Sequence, residues 1–178
     1  AVYRIPGEKI PCLVTQEEGA VRLIYDLQEL NGQRGFVIAP FRPNETCPIL
    51  LIQSNGPGQP LHLADDADAV PRDIPSTDYP SCSEEYAECF RTFISALRDK
   101  TFEKLVLSRK LTIGKPSAFS PSLAFRAACQ RYIHSYIYLC YTPQTGIWLG
   151  STPEIILSGE KDDWHTVALA GTQPLQDG

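Results

Sequence analysis

Short apolar runs separated by turn residues dominate the first third of the chain. Four of these runs have the length and composition of β-strands: residues 1–5, 9–15, 35–40 and 48–53. The last two runs are separated by residues 41–46, which are rich in turn formers, so they predict an antiparallel hairpin. The pattern of residues 17–30 fits either a helix or a strand.

The hydrophobic pattern then changes period. Residues 54–80 are rich in Pro, Gly and Asp and predict a long surface loop. Ser81 and Glu84 have the spacing of a capping box. Apolar residues follow at helical spacing and predict an amphipathic helix over about 82–99; they are Tyr86, Cys89, Phe90, Phe93, Ile94 and Leu97.

The second half combines one more helix with several strands. Residues 102–113 predict a strand, and Ser120-Pro121 has the form of an N-cap followed by proline, so a helix should run from there to about Arg131. Four more strands are predicted over residues 133–141, 147–150, 154–158 and 166–170. This order indicates an α+β fold with mostly antiparallel sheets and outer helices.

Composition narrows the classes of function. The chain has 178 residues, a length that fits a single domain, and its net charge is −5. No dense Lys/Arg cluster is present, which disfavours binding to nucleic acid or to an anionic membrane. No apolar run is long enough to span a bilayer. The six cysteines lack metal-site spacing and indicate reduced thiols in a cytoplasmic protein.

Three short segments are candidates for chemistry. In 103–110, period-2 alternation places Lys104, Val106, Ser108 and Lys110 on one face, so Lys104 either points into a semi-buried site or lies at a strand end in water. In 150–154, Gly and Pro bend the chain and present Glu154 before an apolar run, where it is either a proton donor or a solvated turn residue. In 168–172, small residues either let backbone amides approach an anion or simply end a strand.

Taken together, the three segments resemble the chorismate-utilising enzymes, which include isochorismate synthases, salicylate synthases and the large subunits of anthranilate and aminodeoxychorismate synthases. The resemblance rests on Lys104-Leu105-Val106-Leu107-Ser108-Arg109, Trp148-Leu149-Gly150-Ser151-Thr152-Pro153-Glu154 and Ala168-Leu169-Ala170-Gly171-Thr172. It implies a partial chorismate-binding fold of the anthranilate synthase large-subunit type. It also implies that residues 1–178 are the N-terminal portion of one enzyme domain.

The resemblance further implies a particular reaction. Isochorismate and salicylate synthases carry Lys at the position of Lys104, whereas the aminating members typically carry Gln. Water must lose a proton as it attacks the ring, so a neutral amine is needed as general base, while ammonia needs none. The resemblance therefore favours an isochorismate synthase, an isomerase that acts on chorismate, and disfavours a glutamine amidotransferase partner.

The implied roles are general base for Lys104, general acid for Glu154, and substrate binding for Gly171 and Thr172. Water would add at C2 of chorismate while the C4 hydroxyl leaves. The free pKa values of Lys and Glu, about 10.4 and about 4.3, must move toward each other, which requires burial of both side chains. Semi-buried positions on neighbouring strands are therefore expected for Lys104 and Glu154.

The family's cofactor is Mg²⁺, held by glutamates of motifs that follow the Ala-Gly-Thr segment. We expect these ligands beyond Gly178 and assign no metal ligand within the chain. Glu160, Asp162 and Asp163 do not match the metal motif and are expected to form a solvated turn. The 178-residue chain is therefore expected to be inactive alone.

Several alternatives stay open at the level of sequence. A salicylate synthase or another chorismate-utilising enzyme would share these motifs, and so would a non-catalytic homologous fragment that only binds. The sequence does not distinguish menaquinone from siderophore biosynthesis, and it does not give the oligomeric state.

Overall fold

The computed structural model describes residues 1–54, 56–62, 84–110 and 112–166. The chain divides into unit 1, residues 1–70 and 120–178, and unit 2, residues 71–119, and each is considered by itself. The described elements, in chain order, are β1 Val2–Arg4, β2 Cys12–Leu13, β3 Arg22–Ile24, a 3₁₀ turn Leu27–Leu30, β4 Gly35–Ile38, β5 Ile49–Gln53, β6 Gln59–Pro60, α1 Glu84–Arg98, α2 Pro121–Arg131, β7 Tyr136–Thr142, β8 Gly146–Thr152, β9 Ser158–Glu160 and β10 Asp163–His165. The fold is α+β with antiparallel sheets, as the sequence predicts.

Unit 1 contains a five-stranded sheet in the order β6-β2-β1-β7-β8. One face of this sheet packs against α2. Side chains of alternate residues on a strand point to the same face, so every second residue of a strand can reach the helix. Val2 of β1 and Ile137 of β7 meet Phe125 of α2 in a buried cluster. Helix α2 begins where the sequence predicts, with the Ser120 hydroxyl accepting a hydrogen bond from the Leu123 backbone N–H.

A three-stranded sheet in the order β3-β5-β4 completes the layers of unit 1. Its central strand β5 is buried at four successive residues from Ile49 to Ile52, as expected for a strand covered on both faces. The β4 and β5 strands pair antiparallel, which confirms the predicted hairpin. The ambiguous stretch 17–30 contains a short strand, β3, and a 3₁₀ turn capped by Asp26.

The two sheets meet through an aromatic layer. The ring centroid of Tyr3 in β1 lies 5.7 Å from that of Tyr136 and 6.2 Å from that of Phe36 in β4. Tyr138 in turn lies 6.2 Å from both Phe36 and Tyr136. These offset and tilted arrangements are the favoured ones for aromatic pairs, so the layer joins β1, β7 and β4 into one packed interface.

Unit 2 contains α1, which confirms the predicted amphipathic helix within its described residues. The helix ends in a Schellman motif: the Thr101 N–H donates to the Ala96 carbonyl and the Lys100 N–H donates to the Leu97 carbonyl. Lys100 has a φ of +56°, in the left-handed region that glycine usually occupies at this position.

The prediction of a strand over 102–113 is wrong for the described residues of that range, which belong to no strand. A strand needs a neighbour to satisfy its backbone N–H and C=O groups, and no described strand pairs with this segment. The burial pattern still has period 2, because Leu105 and Leu107 are half-buried while Lys104, Val106 and Ser108 are exposed.

Two more sequence predictions are corrected. The strand predicted over 154–158 lies later, at Ser158–Glu160, where it pairs with β10 as a small hairpin. The predicted loop 54–80 contains strand β6, which pairs with β2 at the edge of the five-stranded sheet. The prediction for 166–170 falls mostly on residues outside those described, and Thr166 is not in a strand.

Among the described residues, no helix combines the length and the apolar character that crossing a membrane would require.

Candidate functional site

The end of strand β8 carries the Gly150–Glu154 segment. β8 pairs with β7 in antiparallel register, which places Gly150 opposite Tyr138 and Thr152 opposite Tyr136. A Cβ built on Gly150 would overlap the ring of Tyr138. Glycine at this position therefore lets the Tyr138 ring lie across β8 and complete the aromatic layer.

Glu154 lies just beyond this strand, in a bend that is stabilised by a hydrogen bond from the Glu154 backbone to the Thr152 side chain. The Glu154 N–H donates to the Thr152 hydroxyl at 3.1 Å across Pro153. Such a side-chain-to-backbone bond defines a local turn, and proline cannot continue the β8 hydrogen-bond ladder. The Glu154 side chain is exposed, and its neighbours Ile156 and Leu157 are 87% and 63% exposed.

Lys104 lies in unit 2, shortly after the Schellman motif that ends α1. Its side chain is exposed and does not share the side of the segment on which Leu105 and Leu107 are half-buried. Farther along, the Arg109 guanidinium carbon lies 5.7 Å from the centroid of the Tyr86 ring of α1. This cation–π contact holds the far end of the segment against the helix.

The structure thus corrects one expectation about the acid–base pair. Lys104 and Glu154 are both exposed and neither lies within a strand, so the semi-buried strand positions expected from the sequence are wrong. The physical reason is local: the Lys104 segment has no described strand beside it, and the Thr152–Glu154 turn carries Glu154 out of the β8 ladder. Lys104 belongs to unit 2 and Glu154 belongs to unit 1.

The two expected substrate-binding residues, Gly171 and Thr172, lie outside the described residues. The third sequence segment therefore stays a prediction.

Three acidic residues follow Glu154 in the β9–β10 hairpin, where they could in principle act as metal ligands. Glu160, Asp162 and Asp163 are exposed in the β9–β10 hairpin, which confirms the predicted solvated turn. Across the described ranges, no three His, Cys, Asp or Glu side chains cluster closely enough to hold a metal ion. The described residues do not fit a Mg²⁺ site, because Mg²⁺ is bound by oxygen ligands in a near-ideal octahedron.

Sequence reasoning missed the aromatic layer of Tyr3, Phe36, Tyr136 and Tyr138, which lies beside Gly150. Burial, and secondarily the charges of neighbouring groups such as Tyr3, raises the pKa of Tyr136 far above its ordinary value. Tyr136 and Tyr138 alternate with Ile137 and Leu139 along β7, so they share the sheet face opposite to α2. This alternation is visible in the sequence and could have marked two tyrosines on a buried face.

Comparison with known proteins identifies the family. The model of a family described as chorismate binding enzyme matches residues 62–177, a range that includes Lys104, Glu154, Gly171 and Thr172. Neither a curated protein nor a solved structure matches the chain. Because the family model covers well over half of its residues, the chain belongs to the chorismate binding enzymes.

Proposed function

We propose that this chain contributes the acid–base residues of an isochorismate synthase, an isomerase that converts chorismate into isochorismate. The observation that carries the proposal is Lys104, which stands where the family's aminating members typically carry Gln. Family membership supports chorismate as the small-molecule substrate.

In the proposed reaction, Lys104 accepts a proton from the water that attacks C2 of the ring. The ring double bonds shift, and the C4–O bond breaks as Glu154 donates a proton to the departing hydroxyl, which leaves as water. One water enters and one leaves, so the reaction is a net isomerisation. Lys104 ends protonated and Glu154 ionised, and proton exchange with solvent restores both.

The proposal requires both side chains to lose contact with solvent when the substrate binds. Only in a water-poor site do a neutral amine and a neutral carboxylic acid become the working forms near neutral pH. Both side chains are exposed in the described structure, so closure around the substrate is part of the proposal.

Mg²⁺ is the expected cofactor of the proposed enzyme. When bound, it would neutralise the ring carboxylate of chorismate. The family resemblance places its ligands in motifs beyond Gly178, and the proposal derives no step through the ion. Likewise, Lys104 gives no reason to expect a glutamine amidotransferase subunit.

The test is a product assay on the full-length protein. Purified protein is incubated with chorismate, with and without Mg²⁺, and the products are separated by liquid chromatography. We expect isochorismate, only when Mg²⁺ is present. Salicylate with pyruvate would assign a salicylate synthase instead, an aminated product formed with ammonium would contradict the role of Lys104, and unchanged chorismate would favour a non-catalytic homologue.

A further inference from the structure

A cleft in unit 1 lies at the C-terminal end of α2, apart from the Gly150–Glu154 segment. Its volume is about 680 Å³, within the range of small-molecule pockets. The loop between β1 and β2 forms one wall, and the last turns of α2 with the residues that follow form another. Lys104 and Glu154, the two predicted site residues that the structure describes, are not among its lining residues.

Basic side chains outnumber acidic ones among the described lining residues of the cleft. Arg4, Lys9 and Arg126 line it together with His62 and His134, whereas Glu8 is the acidic residue of the lining. The whole chain has a net charge of −5, so this concentration of positive charge opposes the overall balance. A concave surface lined by one sign of charge attracts ligands of the opposite sign.

Arg4 places a buried charge at the base of this cleft. The residue is only 3% exposed, and its Nη1 and Nη2 atoms donate to backbone carbonyls, including those of Tyr132 at 2.6 Å and Ser135 at 3.0 Å. Its Nε atom has no hydrogen-bond partner among the described residues. The carbonyls that follow α2 thus solvate the guanidinium and occupy its Nη donors, so Arg4 adds positive charge near the cleft but no free Nη donor.

The Arg4 charge influences the thiol of Cys129, which lines the cleft. Burial raises the pKa of the Cys129 thiol, and the adjacent Arg4 guanidinium acts in the opposite direction. Arg4 therefore interacts electrostatically with the α2 face of the cleft, in addition to binding the carbonyls behind it.

The remaining wall of the cleft is apolar. Ile10 and Ile133 line it and are 47% and 54% exposed, and Leu61 lies in the same lining. A ligand that uses the whole cleft would therefore combine an anionic head group with an apolar body. Apolar walls with a few convergent charged groups are typical of such sites.

We propose that this cleft binds a small organic anion, with its carboxylate or phosphate head at Lys9 and Arg126, near the buried charge of Arg4, and its apolar body against Ile10 and Ile133. The inference does not depend on the reaction assigned to Lys104 and Glu154.

The experiment is a binding titration of the full-length protein. Phenyl phosphate, benzoate and inorganic phosphate are titrated by isothermal calorimetry, with phenol as the neutral analogue. We expect saturable binding of phenyl phosphate or benzoate, weaker binding of inorganic phosphate and none of phenol. The tighter of the first two probes identifies the head group as phosphate or carboxylate.

Matched variants locate the site. Lys9→Gln and Arg126→Gln should each weaken binding by about ten- to a hundredfold, because each removes a hydrogen bond to a charged group. Lys161→Gln, at an exposed lysine in the β9–β10 hairpin, should bind like the wild type. Circular dichroism confirms folding, and Lys9→Gln alone decides if Arg126→Gln does not fold. Unsaturable binding of every anion, or equal affinity of the Lys9 and wild-type proteins, would overturn the proposal.

Discussion

The Tyr138 ring occupies the space that a side chain at residue 150 would need. Tyr138 and Gly150 are directly opposite in the β7–β8 register, and a Cβ at Gly150 would overlap the ring. The glycine of the Gly150–Glu154 segment thus has a packing role: it lets the aromatic layer extend to the strand that ends at Thr152.

Gly150→Ala should therefore destabilise unit 1. Overpacking of this kind costs about 1–3 kcal/mol, because the Tyr138 ring is held between Phe36 and Tyr136 and cannot move freely. Chemical denaturation measures the change in the free energy of unfolding. Gly56→Ala is the matched control, since a Cβ there meets nothing within 4 Å and should change stability by less than about 0.5 kcal/mol.

A double-mutant cycle isolates the cause. In a Tyr138→Ala background the ring is gone, so Gly150→Ala should lose most of its destabilising effect. An unchanged cost in that background would show that the ring is not the reason for the glycine.

Arg4→Met should be strongly destabilising. The change removes several partly buried hydrogen bonds from a charged donor to carbonyls that follow α2, each worth about 1.5–3 kcal/mol, so a total above about 3 kcal/mol is expected. Arg22→Met is the matched control, because the exposed Arg22–Glu29 pair at 3.4 Å contributes less than about 1 kcal/mol. Equal losses in the two variants, measured by urea unfolding, would contradict the structural role of Arg4.

The raised pKa of Tyr136 predicts that the protein loses stability at alkaline pH. Its pKa is raised by burial above the ordinary value of 10.0, so the folded protein keeps the phenol proton where the unfolded chain releases it. Below pH 10 both states are protonated and the group has no pH effect. Above pH 10 the unfolded state is favoured progressively until the folded pKa is reached.

The measurement is the free energy of unfolding between pH 8 and 11, with tyrosine ionisation followed by ultraviolet absorbance. The decline above pH 10 should be less steep in Tyr136→Phe, which has no phenol proton at this position. Tyr25→Phe, at a 51% exposed tyrosine, should retain the wild-type slope. A Tyr136→Phe slope identical to the wild type would argue against the buried phenol as the cause.

Lys104→Gln should nearly abolish turnover of chorismate by the full-length protein, and so should Glu154→Gln. Loss of a general base or acid lowers kcat by about 10²- to 10⁴-fold. Lys110→Gln is the control, because Lys110 is an exposed lysine of the same segment and parity. Wild-type turnover in the Lys104 variant, with product formation followed by chromatography, would remove the base assignment.

The sequence by itself determined the elements whose signals are local. The N-cap at Ser120 and the 3.6-residue periodicity of α1 depend on neighbours within one or two turns, so α2 is predicted almost to the residue and α1 is predicted within its described residues. The β4–β5 hairpin was similarly predictable, because its two apolar runs flank a single turn. The family was determined in the same way, since short contiguous motifs carry it.

Tertiary structure decided what depends on distant residues. The strand pattern of 102–113 has no described neighbour to pair with, so the alternation of half-buried leucines persists without a ladder. The burial of Arg4 requires carbonyls 128 to 131 positions away, and the requirement for glycine at residue 150 requires the ring of Tyr138. Local sequence sets which conformations a segment prefers, whereas burial and pairing depend on which distant residues the fold brings beside it.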